Sequence, residues 1–267
     1  MTRPTALAVV AALVASFFAG ACASQSAVLP PGTTNPDEFL FNRGTEEMAE
    51  RRWLRAREYF RQIVDNYPQS PYRPDAKLAV GDSYIGDGST ESLILAVNEF
   101  REFLLFYPTN PRADYAQFRL AFAYSKQMLA PERDQTATKD TVKELQVFVE
   151  RYPNSPLLAE AKALLREARD RLSEASYRVG LHYYRVKWYP GAIDRFREVL
   201  RDDPEYTRRD AVYYYLAESL LRTDQKAEAL PYFERLLQEF EQSEHLDDAR
   251  RRVAELKGTT GSPGTPR

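Results

Sequence analysis

An all-α fold is the prediction for this chain: a superhelix of five helical hairpins followed by a C-terminal capping helix. Three observations carry it. One pattern of small, aromatic and proline residues recurs five times between residues 36 and 257. Within each copy the apolar residues are spaced by three and four, which places them on one face of an α-helix. Glycine is scarce, at 11 of 267 residues, whereas tyrosine reaches 17, a balance that fits packed helices or a peptide-binding surface.

Residues 1–21 read as a secretory leader. Arg3 supplies the positive charge, Ala6 to Phe18 the apolar stretch, and Ala19, Gly20 and Ala21 the small residues before cleavage. The apolar run is mostly alanine and no basic cluster follows it, so a spanning anchor is the weaker reading. Ala19-Gly20-Ala21-Cys22 resembles the bacterial lipobox, and Cys22 is the chain's one cysteine. That resemblance implies N-acyl and diacylglycerol lipid on Cys22, which would anchor the chain stably, since two or more acyl chains are needed for that. In the lipoprotein-sorting scheme of Gram-negative bacteria, Ala23 in place of Asp implies the outer membrane. Residues 22–37 then form a tether, because Pro30, Pro31 and Gly32 cannot lie inside a helix.

The repeats occupy the body. The small, Ala, aromatic and Pro positions are Gly44, Ala56, Phe60 and Pro68 in the first copy and Gly81, Ala96, Phe100 and Pro108 in the second. They are Ala121, Thr141, Leu145 and Pro153 in the third, and Gly180, Ala192, Phe196 and Pro204 in the fourth. The fifth has Ala217, Ala229 and Phe233, with Glu241 in place of the proline. Small residues belong where two helices cross, the aromatic fills the wedge between hairpins, and the proline ends the second helix. This resembles the tetratricopeptide repeat. Copies one to three end in YPQSP, YPTNP and YPNSP, each a helix stop and a new start. Copy three carries an insertion at 131–140, PERDQTATKD. From Leu157 to about Val186 no break occurs, so one helix of ~30 residues is expected to join the two halves. The expected divisions are repeats 1–3 at 38–156, repeats 4 and 5 with the connecting helix and cap at 157–257, and a disordered tail at 258–267.

Little chemistry is on offer. With 37 basic and 39 acidic residues, the chain has no cationic surplus for nucleic acid. Two histidines and one cysteine leave no Cys/His metal site, disulfide framework or Cys–His nucleophile, so no metal, no cofactor and no catalytic residue is expected. His182 and His245 read as partly exposed helix residues. The carboxylate pairs Glu46-Glu47 and Asp202-Asp203 read as solvated faces, because adjacent helix residues diverge. The concave face of the first helices is the expected binding surface. Its positions Phe41, Met48, Leu78, Ile85, Phe118 and Phe122 form an apolar groove suited to a peptide.

The lipobox, the proline-rich tether, the YPxSP turns and the segment APERDQTATKD at 130–140 together resemble the BamD family of β-barrel assembly lipoproteins. The resemblance implies a non-enzymatic scaffold at the periplasmic face of the outer membrane. It implies docking of a POTRA domain of BamA through the C-terminal repeats, contact with other Bam lipoproteins, and reception of the C-terminal strands of unfolded outer-membrane proteins. Arg195, one residue before the inward-facing Phe196, is the basic residue expected to meet BamA. A periplasmic adaptor of the Tol–Pal or peptidoglycan system is the alternative.

Overall fold

The computed structural model describes residues 29–259, among which are eleven α-helices and no strand. Cys22, the leader and residues 260–267 lie outside the described residues. The helices fall where the repeats place them, two to each copy and one beyond. The chain forms two compact units, one ending at Gly86 and the other beginning at Asp87.

The first unit holds α1 (Pro36–Ala49), α2 (Trp53–Asn66) and nearly all of α3 (Arg73–Asp87). Proline opens α1, and Asp37 and Glu38 follow in its first turn, where negative charge complements the free N–H groups. Gly44 is required at the α1–α2 crossing, because a Cβ there would sit 2.7 Å from the buried Phe60 ring. On the far side of α2, Arg57 lies over the Tyr84 ring at 3.7 Å, and Arg61 donates to the Tyr84 hydroxyl at 3.0 Å.

The second unit runs through α4 (Thr90–Phe106), α5 (Ala113–Ser125), α6 (Thr136–Arg151), α7 (Leu158–Arg185) and α8 (Tyr189–Asp202). It ends with α9 (Arg209–Arg222), α10 (Lys226–Glu239) and α11 (Leu246–Thr259). Each helix packs against the next. The α7–α8 crossing repeats the arrangement of the first unit: a Cβ on Gly180 would meet Phe196 at 2.7 Å. Ala217, Ala229 and Phe233 are wholly buried in the same roles between α9 and α10. In copies one, four and five the hairpin turns tightly through Arg51, Lys187 and Asp224, each at positive φ. Non-glycine residues enter that region only where the surrounding packing holds them there.

At 28 residues, α7 is the expected connecting helix. It spans about 42 Å. It ties the third repeat to the fourth within the second unit. The cap runs further than expected, through Gly258 and Thr259, so the first two residues of the expected tail are helical.

The turns that end copies one, three and five share a serine that does more than mark a stop and a start. The hydroxyls of Ser70, Ser155 and Ser243 donate to Asp37, Asp114 and Asp210 at 2.7, 2.6 and 2.7 Å. Each hydroxyl oxygen also accepts the N–H two residues on, from Tyr72, Leu157 and His245. The serine thus ties each turn to the first helix of its own repeat. Its hydrogen bond holds the Asp37 carboxyl below the usual range, against a smaller opposing effect of burial. Ser155→Ala is expected to destabilise the second unit by about 1 kcal/mol. Thermal unfolding checks this, and an unchanged midpoint would show the tie to be energetically idle.

Candidate functional site

The expected apolar groove is only partly open. Leu78 is 1% exposed and Phe118 is 3% exposed, so neither side chain can face a ligand. Phe118 lies in a core cluster with Ala121, Leu145, Phe148, Ala161 and Leu165. Phe41 is half-buried, stacked on Tyr72 at 5.1 Å and edge-on to Phe60 at 5.6 Å. Met48, Ile85 and Phe122 are half-buried. The reason is helical geometry. Positions three before and four after the small residue share its face, and that face is the helix-crossing face. Phe122, one position after the small Ala121, keeps an open side, which Lys126 Nζ overlies at 4.7 Å.

The carboxylates read as solvated are divided. Glu46 and Asp202 are exposed, but Glu47 and Asp203 are buried and ion-paired. Glu47 meets Arg52 and, at 3.6 Å, Arg43. The Arg52 hydrogen bond holds its carboxyl below the usual range. Asp203 receives both terminal nitrogens of Arg166, one at 3.0 Å, and the Ser173 hydroxyl at 2.7 Å. Burial alone would push the Asp203 carboxyl up, but Arg166 and Ser173 together outweigh it and hold it low. Glu218 is likewise buried and gripped by Arg252 of α11 at 2.6 and 3.2 Å. That pair fastens the cap to the fifth repeat.

His245 is also buried, not partly exposed as expected. Its ring stacks on Tyr214 with centroids 4.3 Å apart and planes within 1°. Burial pushes its pKa down, against the smaller opposing pull of Glu244, Asp210 and Asp248. His182 is exposed on α7.

A cleft of about 850 Å³ opens between α6, α7 and α8. Its lining includes Lys139 and Val142 of α6, Arg169 and Leu172 of α7, and Glu198 and Asp202 of α8. The long helix creates it. Phe148 of α6 packs against the α7 segment around Ala161 and Leu165, whereas Phe196 of α8 packs at Tyr177, 5.9 Å between centroids. Twelve residues of helix span about 18 Å, roughly twice the spacing of packed helices, so α6 and α8 stand apart. Repeat spacing in the sequence hints at the separation, since the copies are further apart here, but it does not show which side chains line the gap.

Arg195 stands on α8 beside this cleft, its side chain 43% exposed and paired with Glu198 at 2.6 Å. Its Cβ lies 3.2 Å from where a Gly180 Cβ would be, so Arg195 flanks the α7–α8 crossing. Arg197 pairs with Glu228 at 2.6 Å, and the more exposed Arg201 with Asp202 at 2.8 Å. The arrangement presents a mixed-charge face.

Comparisons with known proteins bear on what such surfaces serve. Residues 33–227 match the family YfiO, described as "Outer membrane lipoprotein". A relative from Caulobacter vibrioides, "Outer membrane protein assembly factor BamD", is 27% identical over 228 residues, covering 85% of this chain and 73% of that protein. Proteins of the same description from Neisseria meningitidis serogroup B and Xylella fastidiosa strain 9a5c are each 23% identical. They cover 67% and 64% of this chain, and 71% and 61% of their own lengths. Among solved structures, the "TPR2AB-domain:pHSP90-complex of yeast Sti1" is 14% identical, with a TM-score of 0.48 over 84% of each chain.

Proposed function

The chain belongs to the YfiO family of outer membrane lipoproteins, and from that premise we propose that it is a non-catalytic assembly factor for outer-membrane proteins. It is held at the periplasmic face of the outer membrane by lipid on Cys22. Its C-terminal repeats dock a POTRA domain of BamA, and its N-terminal repeats receive the C-terminal strands of unfolded barrels. The observation that carries the reading is the family match across both units, together with relatives described as outer membrane protein assembly factors. Among the described residues no helix is long and apolar enough to cross a membrane.

Cys22→Ser is expected to leave the repeats folded and to release the chain from the membrane fraction. Labelled palmitate should enter the wild type and not the variant. A wild-type chain that takes up no label overturns the anchor.

Docking is tested at Arg195. Arg195→Ala should weaken BamA binding about tenfold, or ~1.4 kcal/mol, since a half-exposed arginine already paired with Glu198 contributes less than a fully desolvated one. Arg195→Lys should also weaken it, because lysine cannot make the bidentate contact. Arg201→Ala is the control. Equal recovery of BamA with both alanine variants and with wild type removes Arg195 from the interface. For the substrate surface, Phe122 replaces Leu78 and Phe118 as the position to vary. Phe122→Glu should reduce affinity for a peptide matching a barrel C-terminus while helicity is retained.

A further inference from the structure

The turn between α7 and α8 carries a feature that peptide reception and BamA docking do not use. Val186 and Trp188 are 57% and 54% exposed, and Lys187 between them is exposed at φ 63°. The indole is held in place. A Cβ on Gly191 would meet its ring at 2.6 Å and Tyr183 is edge-on to it at 4.5 Å, while the main-chain N–H of Trp188 donates to the Tyr183 carbonyl at 2.8 Å and fixes the turn. One side of the ring is thus packed on backbone while the rest is offered to solvent.

The charge around it is one-sided. No Asp or Glu occurs between Glu174 and Asp194, whereas Arg178, Arg185 and Lys187 do. Arg178 is satisfied by Glu132 and Glu174. Among the described residues, Arg185 and Lys187 meet no carboxylate. On the neighbouring α8, Arg195, Arg197 and Arg201 are each paired. An indole with apolar body and polar edge, beside two unpaired cations on long aliphatic stems, matches the boundary between lipid headgroups and acyl chains.

We propose that this turn is a membrane-contact site, which inserts Trp188 and Val186 at the surface of an anionic bilayer and orients the second unit against it. The charge complementarity is to lipid phosphate. The protruding shape favours a flat, deformable surface over a peptide, which needs a groove. Two cations and one indole are too few to hold a free protein on a membrane, so the contact orients a chain that is already tethered.

The solitary cysteine makes the test independent of lipidation in the cell. Residues 22–267, produced without the leader, are coupled through Cys22 to a maleimide phospholipid in vesicles of phosphatidylcholine, with or without phosphatidylglycerol. Trp53→Phe leaves Trp188 as the sole tryptophan, and the difference between wild type and Trp188→Phe gives the same signal should Trp53→Phe disturb folding. Emission of Trp188 is expected to shift to the blue and to be quenched by lipids brominated on their acyl chains, and only when anionic lipid is present. Changing both Arg185→Gln and Lys187→Gln should lower the quenched population at least about tenfold, as each cation near an anionic surface is worth about fivefold. Unchanged emission in every vesicle overturns the proposal. So does a shift seen only on adding BamA POTRA domains without lipid, which would assign the turn to a protein partner.

Discussion

Asp203→Ala is expected to destabilise the second unit by about 3 kcal/mol, at the lower end of the ~3–5 kcal/mol typical of removing one partner from a buried ion pair. The carboxylate is buried, accepts both ends of the Arg166 fork and takes the Ser173 hydroxyl. Its removal leaves Arg166 against protein, with Asp170 at 3.0 Å as partial compensation. That second partner is why the lower figure is expected. The same pair predicts a pH dependence. Since the folded state holds the Asp203 carboxyl below its ordinary range, its contribution is fully present above the unfolded value of about 4 and fades as pH falls through the lowered one. Urea unfolding of wild type and Asp203→Asn should therefore differ by a constant amount from about pH 5 to 8, and converge in stronger acid. A gap that persists at low pH would mean that packing, and not charge, is lost.

Phe196→Ala is expected to have the larger effect, about 3–5 kcal/mol. Phe196 is wholly buried, and its ring contacts Tyr177 and Tyr215 besides lying over Gly180. The ring is the filler of the α7–α8 crossing at Gly180, so its removal leaves a cavity between the two helices. The reciprocal change is informative. Alanine favours a helix over glycine by about 1 kcal/mol, yet Gly180→Ala should destabilise, because its Cβ would meet a ring that has nowhere to go. Circular dichroism during denaturation measures both, and a stabilised Gly180→Ala would show that the crossing is looser than its geometry.

The repeat pattern made these positions legible before any coordinates. Gly44 with Phe60 and Gly180 with Phe196 are found at a fixed offset in sequence, and the structure sets each pair in direct contact. The unbroken run from Leu157 also foretold α7. What could not be read was pairing at long range. Nothing in Asp202-Asp203 says which carboxylate turns inward, since Arg166 lies 37 residues away and on another helix. Glu218 likewise finds its partner, Arg252, 34 residues on in the cap. The groove itself was misjudged through helical period. Leu78 and Phe118 share the face of Gly81 and Ala121, so the logic that made those residues small also buries their neighbours. Exposed positions such as Trp188 escape a repeat-based reading altogether, because the turn lies outside the pattern.

The continuity of α7 bears on how the molecule opens. In an array of separate hairpins, each junction is a place where local unfolding can stop, so end repeats fray alone. Here the third and fourth repeats hang on one helix, and neither can lose its half without exposing the other's packing. Amide hydrogens of α6, α7 and α8 are therefore tied to a single opening event, and would exchange together at a rate set by the most stable of the three. Partial melting is left to α11 and the helices nearest it, where the Glu218–Arg252 pair is the catch.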